Sequence, residues 1–505
     1  MHSTEPLTTA PPIAAPRWRE NTLMGGLGPA FGTRLPPSPL PGLHWVARSQ
    51  ALATELGLTD WLRTDDALAL LGGNALPPVG ATQASVYSGH QFGQWAGQLG
   101  DGRALLLGEI DSPAGVMEVQ LKGAGLTPYS RMGDGRAVLR SSIREFLCSE
   151  AMAALGIATT RALALVGSPA PVRRETMETA AVVTRVAPSF IRFGHFEHFA
   201  HTAADTGALR KLVDAVVDRF YPECRDAASP ALALLEAVSR RTAVLLADWQ
   251  AVGFCHGVMN TDNMSILGLT IDYGPFGFLD GFDPGHVCNH SDHQGRYAFA
   301  RQPNVAFWNL HALAQGLQPL VVADIGDDID ALKAAMEPYK SVFAETLQAR
   351  LRAKLGLRAA RPEDAELFDD LLRMMAQDRT DYTIAMRALG RFSSADGAPN
   401  TPLRDQFMDR DKFDAWAARY TARLRAESSL DAERALRMDC ANPKFVLRNH
   451  LAESAIRQAE GGDFSAVDSL LAVLQSPFDE HPQAPATYAA LPPDWAQQLE
   501  VSCSS

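Results

Sequence analysis

The stretch His256-Gly257-Val258-Met259-Asn260-Thr261-Asp262-Asn263, followed by Ile271-Asp272-Tyr273-Gly274, decides the fold of this 505-residue chain. Two carboxylates, Asp262 and Asp272, lie in it together with the amide Asn263, which is next to Asp262. Carboxylate and amide oxygens are the ligands of Mg²⁺ where it meets the phosphates of a nucleotide. The stretch therefore predicts a centre that handles phosphate and a divalent cation.

The spacing resembles the catalytic segment of protein kinases, with one change. A kinase carries His-Arg-Asp-x-x-x-x-Asn and then Asp-Phe-Gly, in which the first Asp accepts a proton and the Asn and second Asp hold Mg²⁺. When His256 and Asn263 are aligned, the position of the kinase base is Val258, which cannot accept a proton. Both metal positions remain, as Asn263 and Asp272, and Asp262 adds a carboxylate beside the amide.

The composition narrows the choice of partners. The chain has 46 Lys and Arg against 58 Asp and Glu, a net charge of -12, which argues against nucleic acid or an anionic membrane as a partner. No apolar run reaches membrane-spanning length. Six cysteines without a C-x-x-C pair favour a reducing cytoplasm. Residues 1–45 lack the apolar core of a secretory signal and are expected to wrap the surface in extended form.

The pattern of apolar residues is typical of strands in the first part of the chain and of helices in the rest. Strand-like runs at 104–110, 116–121, 162–166 and 180–186 surround a predicted helix at 138–155, where apolar residues recur near the 3.6-residue period. From residue 209 onward nearly everything is helical in pattern. The predicted helices there are 209–220, 231–252, 305–317, 327–355, 362–376, 412–426 and 444–460.

A β-rich part followed by a larger α-rich part is the chain order of a protein kinase. We predict an α+β, bilobal protein-kinase-like (pseudokinase) fold with a small β-rich N-lobe, a large α-helical C-lobe and additional C-terminal helices. The predicted domains are an extended N-terminal segment at 1–45, the N-lobe at 46–195, the C-lobe at 196–400 and a helical extension with a cysteine-containing tail at 401–505.

The sequence Gly100-Asp101-Gly102-Arg103 precedes a strand, as a phosphate-covering loop does in kinases. A glycine pair of this kind also marks an ordinary turn. The loop departs from G-x-G-x-x-G, because Leu105 takes the third glycine position and the bulky Arg103 follows the second glycine. We therefore expect nucleotide to lie differently here than in a kinase.

Lys122 and Glu145 stand in the order of the kinase lysine and its helix glutamate. Each taken alone is equally typical of a solvated residue, whereas together they predict the kinase ion pair. Between them, residues 127–136 form a turn-rich loop with cations that suits an anion at a helix N-terminus. Arg185 and Arg192 follow at the predicted lobe junction, where they are candidates to clamp a polyphosphate. A generic ion pair is the plain alternative for both.

Five long motifs together resemble the selenoprotein O family, and the match extends from about Ser85 to the C-terminus. The motifs lie at 87–93, 120–131, 256–264, 271–275 and 442–448. The resemblance implies a pseudokinase that acts as a protein adenylyltransferase. It also implies that ATP is bound in a flipped orientation and that AMP moves to Ser, Thr or Tyr hydroxyls of target proteins, with UTP and Mn²⁺ as a further donor pair.

The same resemblance implies roles for individual residues. Asp262 is expected to be the base, and Asn263 and Asp272 are expected to hold Mg²⁺ or Mn²⁺. Cys503 takes the place of the selenocysteine found in eukaryotic members and is implied to pair with Cys288, although a terminal thiol can also be merely exposed. The implied nucleotide-binding residues are Gly100, Gly102, Arg103, Lys122, Asp134, Gly135, Arg185, Arg192 and Asp272.

Two other functions stay open at this point. A kinase or small-molecule phosphotransferase could use Asp262 as its base and move the γ-phosphate. A non-catalytic pseudokinase could bind nucleotide only to stabilise a scaffold, although a scaffold has no need of the metal ligands Asn263 and Asp272. The position of a radiolabel on ATP separates transfer of the α-phosphate from transfer of the γ-phosphate.

Overall fold

The structure, a computed structural model, describes residues 14–79 and 82–501. It is a mixed α/β fold with an antiparallel sheet in the N-terminal part and a helical C-terminal part. The strands are β1 (Arg17–Trp18), β2 (Gly32–Arg34), β3 (His44–Arg48), β4 (Gln83–Ser85), β5 (Ser88–Gln91), β6 (Gln94–Gln98), β7 (Ala104–Ser112), β8 (Gly115–Lys122), β9 (Ala137–Val138), β10 (Arg161–Arg173), β11 (Met177–Ala187), β12 (Phe254–Cys255) and β13 (Gly277–Phe278).

Helices alternate with these strands at first and then take over the chain. They are α1 (Leu23–Leu27), α2 (Gln50–Glu55), α3 (Asp65–Leu71), α4 (Leu139–Ala154), α5 (Phe193–Glu197), α6 (Thr206–Phe220), α7 (Pro230–Val252), α8 (Gln302–Ile325), α9 (Ile329–Met336), α10 (Pro338–Lys354), α11 (Asp364–Asp378), α12 (Tyr382–Leu389), α13 (Thr401–Arg404), α14 (Arg410–Arg425), α15 (Asp431–Asp439), α16 (Asn449–Glu460) and α17 (Ser465–Leu474). Among the residues described, no helix is long and apolar enough to cross a membrane.

The main sheet runs in the order β2-β4-β7-β8-β11-β10-β3, with β1 added on β7 and β9 on β11. The four runs predicted as strands are its central strands, which confirms them. Lys122, at the end of β8, lies opposite Ala104 at the start of β7 and Val183 in β11. This register places Lys122 at the end of a central strand, next to the point where the loop at 100–103 leads into β7.

Helix α4 packs across β10 and β11 and confirms the helix predicted at 138–155. Ile143, Phe146 and Leu147 are fully buried in this contact. Full burial of such a side chain contributes roughly 1.5–3 kcal/mol relative to leaving it in water. The packing fixes the position of α4, and with it the direction in which Glu145 points.

Helix α7 is the central helix of the C-terminal part. The Ser229 side chain accepts a hydrogen bond from the Leu232 amide, Pro230 takes the first helical position, and Gly253 ends the helix in the left-handed conformation. The helix packs against α8 and α10 and is buried along most of its length. The position at which the chain leaves this helix, and at which the segment from residue 254 begins, is therefore fixed by packing.

The structure corrects three expectations about segments. Residues 14–45 do not only wrap the surface, because β1 and β2 pair with β7 and β4; residues 1–13 lie outside the described residues. The helix predicted at 327–355 is two helices, α9 and α10, since Pro338 starts a new one. The helix predicted from 444 begins at Asn449, because Arg448 is extended and pairs with Asp381 at 2.8 Å.

The last two helices return to the N-terminal part. Both α16 and α17 pack on α4. Arg144 of α4 donates to Asn449 Oδ1 at 3.0 Å, and Gln475, just after α17, donates to Ser49 at 3.1 Å and to Glu150 at 3.3 Å. Helix α4 is therefore held between the sheet and the C-terminal helices.

Candidate active site

The segment after α7 is held in place by buried hydrogen bonds. The ring of His256 stacks on Trp249 with centroids 5.2 Å apart, and its Nε2 lies 2.8 Å from the Ile271 carbonyl. The Asn260 side chain accepts from the Tyr297 hydroxyl at 2.7 Å. The contact between His256 and Ile271 joins the two halves of the predicted centre, 256–263 and 271–274, and Tyr297 anchors the first half.

Asp262 is a buried carboxylate with an incomplete set of partners. Gln91 Nε2 donates to its Oδ2 at 3.3 Å, while its Oδ1 is buried and has no hydrogen-bond partner among the residues described. Burial raises the pKa of Asp262 to about 6, and the nearby cation Arg192 offsets only part of this rise. A carboxylate with a raised pKa and a free acceptor oxygen is suited to take a proton from a hydroxyl group.

Asn263 and Asp272 offer oxygen atoms beside Asp262. Asn263 Nδ2 donates to the Val258 carbonyl at 3.0 Å, which fixes the amide and leaves its Oδ1 as a ligand atom. Asp272 has a left-handed backbone, with φ of 57°. No group of three or more His, Cys, Asp or Glu side chains in the described ranges is arranged to hold a metal. Asn263 and Asp272 supply only a few oxygen donors. Mg²⁺ and Mn²⁺ prefer oxygen ligands, and in nucleotide sites they take the remaining ligands from the phosphates, so these two residues fit such a cation.

A line of alternating charges joins the sheet to Asp272. Glu145 pairs with Lys122 and, at 2.5 Å, with Arg185. Asp272 pairs with Arg185 at 2.6 Å and with Arg192. Burial opposes ionisation of Asp272, but Arg192 and Arg185 outweigh it and hold the pKa of this carboxyl well below its usual range. The predicted lysine–glutamate pair is present, and both arginines are paired with carboxylates.

The glycine loop lies against the loop at 127–136. A Cβ on Gly100 would come within 2.5 Å of the Tyr129 ring, and one on Gly102 within 2.8 Å of the Tyr129 carbonyl. Thr127 Oγ1 donates to the Asp101 carbonyl at 2.7 Å. The two glycines are thus required for close packing of two loops over the site.

Both loops bound a cavity of about 460 Å³ that opens between the sheet and the catalytic segment. Every residue predicted for nucleotide, metal or base lines it; Glu145 lies behind Lys122. Among the residues described, seven Lys and Arg side chains and four Asp side chains face the cavity, so the local charge is positive in a protein of net charge -12. The predicted set that lines it is Gly100, Gly102, Arg103, Lys122, Asp134, Gly135, Arg185, Arg192, Asp262, Asn263 and Asp272.

Arg103 differs from the other buried or half-buried cations of the cavity; Arg131, which also lines it, is exposed. Within residues 14–79 and 82–501 its side chain makes no hydrogen bond or ion pair, and burial lowers its pKa. Asp134 instead pairs with Arg174 at 2.8 Å, and the Gly135 carbonyl accepts from the Gly125 amide at 3.0 Å. Arg103 is therefore the cation best placed to meet an added anion, while Asp134 and Gly135 shape the loop.

Cys288 packs against Gly257 of the catalytic segment and does not line the cavity. It is a buried free thiol whose Sγ donates to the Cys255 carbonyl at 3.4 Å, and burial raises its pKa well above the usual range. The His290 amide donates to the Val501 carbonyl at 2.9 Å. Cys503 lies outside the described residues, but the backbone reaches this neighbourhood two residues before it.

Sequence reasoning assigned no role to several residues that the structure places in the site. Gln91 is the side-chain partner of Asp262, Arg174 pairs with Asp134, and Tyr129 packs on the glycine loop. Gln91 and Tyr129 belong to motifs that carried the family resemblance. Their motif membership was the available signal, but their partners are distant in the chain.

Comparisons with known proteins agree on one family. The model of the family described as "Protein adenylyltransferase SelO" matches residues 19–475. A protein nucleotidyltransferase YdiU from Cupriavidus metallidurans is 57% identical over 99% of this chain and 92% of its own length. Proteins of the same name from Cupriavidus pinatubonensis (95% and 94% covered) and Variovorax paradoxus (97% and 97%) are each 58% identical.

Proposed function

We propose a reaction from one premise: the chain belongs to the SelO family of protein adenylyltransferases and is an enzyme of the nucleotidyltransferase class. The proposed reaction moves AMP from ATP to a Ser, Thr or Tyr hydroxyl of a protein. The proposed fold is a bilobal pseudokinase in which the sheet part is the N-lobe and the helical part the C-lobe. One observation supports this reaction most strongly. Val258 occupies the position of the kinase base and cannot accept a proton, whereas the buried carboxylate of Asp262 faces a cation-rich cavity.

The residues divide the work of the reaction as follows. Asp262 accepts the proton of the acceptor hydroxyl, whose oxygen forms a bond to the α-phosphorus. The bond from the α-phosphorus to the bridging oxygen breaks, and pyrophosphate leaves. Asn263 and Asp272 would hold Mg²⁺ or Mn²⁺, which supplies positive charge against the phosphates when bound. Arg103 and Lys122 stabilise the charge that builds on the leaving pyrophosphate.

Two features support a flipped nucleotide. Tyr129 fills the space beside Gly100 and Gly102, where an ordinary kinase lets phosphates approach the glycine backbone. The unpaired cation Arg103 lies at the sheet side of the cavity, together with Lys122. The distal phosphates are therefore better held under the sheet, with the α-phosphate toward Asp262.

Intact-mass analysis tests this function directly. The protein and a mixture of acceptor proteins are incubated with ATP and Mg²⁺, and the expected result is a mass increase equal to one AMP. Label on the α-phosphate of ATP is expected in the product, and label on the γ-phosphate is not. Label from the γ-phosphate alone would make the protein a kinase, and label from neither would leave a nucleotide-binding scaffold. The same assay with UTP and Mn²⁺ tests transfer of UMP.

Lys122→Ala is expected to weaken ATP binding and transfer together. The lysine contributes a charge contact in the ground state and in the transition state, so kcat/KM falls by about 10- to 100-fold with KM raised. The fold tolerates the change because Glu145 keeps its pair with Arg185. Calorimetric titration with ATP and initial rates check this, with Lys444→Ala, a lysine paired with Glu480, as the matched control. Wild-type ATP affinity in Lys122→Ala would make Lys122 a bystander.

The tail predicts redox-dependent activity. If Cys503 bonds to Cys288, reductant and Cys503→Ser are expected to shift activity in the same direction, because both release the tail. The loop so closed is long, and the chain-entropy model gives up to roughly 5 kcal/mol of stabilisation. Peptide mapping of oxidised protein checks the bond, and Cys440→Ser, at an exposed cysteine, is the control. A free Cys503 thiol in oxidised protein contradicts the prediction.

A further inference from the structure

A group of aromatic side chains and one arginine lies at the mouth of the site, outside the nucleotide cavity. Phe92 and Trp95, from the β5–β6 hairpin, and Trp308, from α8, are 37%, 43% and 37% exposed. Arg296 is stacked on Trp308, with its guanidinium carbon 4.8 Å from the ring centroid. We call these four residues the aromatic rim. Exposed aromatic groups of this size mark interaction surfaces more often than chance surface positions.

The aromatic rim is joined to the Asp262 segment through Gln91 and Asn260. Gln91, which donates to the Asp262 carboxylate, is the residue before Phe92. The Phe92 amide donates to Asn260 Oδ1 at 3.2 Å and to the Tyr297 hydroxyl at 2.9 Å. Anything that rests on the rim is thus within a few residues of the carboxylate proposed as the base.

Buried groups hold the rim in one position. The His90 ring lies against Trp95 at 5.0 Å and against Trp308 at 5.2 Å between centroids. His90 Nδ1 is in turn 2.7 Å from the fully buried Glu197 carboxylate. A surface held this way loses little conformational entropy when a partner binds.

The rim also carries a positive charge, on Arg296. Over the described ranges no carboxylate lies within ion-pair distance of Arg296, and its Nε is buried without a hydrogen-bond partner. A cation on an aromatic face, without an acid of its own, complements an incoming acidic side chain. Trp, Tyr and Arg are also the residues that dominate binding energy at protein interfaces.

We propose that the aromatic rim is the docking surface for the protein acceptor, and that Arg296 selects acceptors with an acidic residue beside the modified hydroxyl. This rests on the proposed transfer to proteins, which requires a second substrate to reach Asp262 from outside the nucleotide cavity. The rim is an exposed surface that adjoins Gln91, which lines the cavity and donates to Asp262. The acceptor segment lies over Trp95 and Trp308, its acid meets Arg296, and its hydroxyl enters beside Gln91.

Binding of two labelled peptides tests this. Both carry one serine in the same neutral background, flanked by glutamates in one peptide and by lysines in the other, and fluorescence anisotropy gives their affinities with ATP absent. The acidic peptide is expected to bind about three- to tenfold more tightly, the range of one or two partly screened ion pairs. Arg296→Glu is expected to reverse the preference and Arg296→Gln to remove it. Trp308→Ala is expected to weaken both peptides about tenfold or more.

The control is Arg63→Glu, the same charge change at an exposed arginine outside the rim, which is expected to keep the acidic preference. Equal affinity for the two peptides, or an acidic preference that survives Arg296→Glu, would overturn the proposal. The experiment also separates it from the proposed function. If the acidic peptide binds preferentially but receives no AMP, the proposed transfer is wrong and the docking role of the rim stands. If AMP is transferred without a charge preference, the docking role is wrong and the proposed transfer stands.

Discussion

Asp272→Ala is expected to reduce nucleotide transfer by at least about 10³-fold. The carboxylate is a proposed ligand of the cation that offsets the charge of the α-phosphate, and loss of such electrostatic stabilisation costs several kcal/mol in the barrier. Initial rates with α-labelled ATP measure the effect. Self-modification at the wild-type rate would remove Asp272 from the metal site.

The same change is expected to destabilise the protein, which the sequence alone did not indicate. Asp272 neutralises Arg185 and Arg192, both almost fully buried, and removing one partner of a buried pair costs about 3–5 kcal/mol. Activity must therefore be compared below the melting temperature of the variant. Asp272→Asn keeps the size of the side chain and removes only its charge, so it is the control for lost volume. This variant is expected to be as inactive as Asp272→Ala.

Asp262→Ala is expected to lower kcat by about 10²- to 10⁴-fold with little change in ATP affinity, the effect of a missing general base. It leaves no cation unpaired, because Arg192 contacts the Asp262 backbone carbonyl at 2.9 Å and not its carboxylate. Val258→Asp in the same chain is expected not to restore the rate, since a flipped nucleotide places the α-phosphate away from that position. Rescue by Val258→Asp would favour a kinase-like geometry.

The pH dependence follows from the same carboxylate. The pKa of Asp262 is raised to about 6, so the group is protonated, and unable to accept a proton, below that value. In the wild type, kcat/KM is expected to rise with pH through about 6 and then level off. The variant Asp262→Ala is expected to lack this limb, and a limb unchanged in the variant would assign it to another group.

The parts of the fold that the sequence predicted are those with a strong local pattern. Strands β7, β10 and β11 contain runs of consecutive apolar residues, β8 alternates apolar with polar residues, and α4 repeats its apolar residues at helical spacing. The short elements escaped prediction because two to five residues carry no period, as in β1 and β2. Their existence depends on edges that the rest of the sheet provides. The break before Pro338 was readable from the proline and was missed.

The site divides in the same way. Lys122 and Glu145 were predictable because kinase order and spacing place them on a strand and the next helix. Gln91 and Arg174 were not, because a hydrogen bond or an ion pair between residues distant in the chain depends on the packed structure. The engagement of Arg185 by Asp272 also follows only from the fold: two charged side chains that were both expected to meet ligands stand close enough to neutralise one another.

The clamping of α4 between the sheet and helices α16 and α17 bears on how this enzyme can be governed. In protein kinases, activity requires the lysine–glutamate pair, and a swing of the helix that carries the glutamate breaks that pair. Here such a swing requires the terminal helices to detach and their apolar faces to meet water. We therefore expect an always-assembled catalyst, whose output is set by access of its two substrates and not by toggling of this helix.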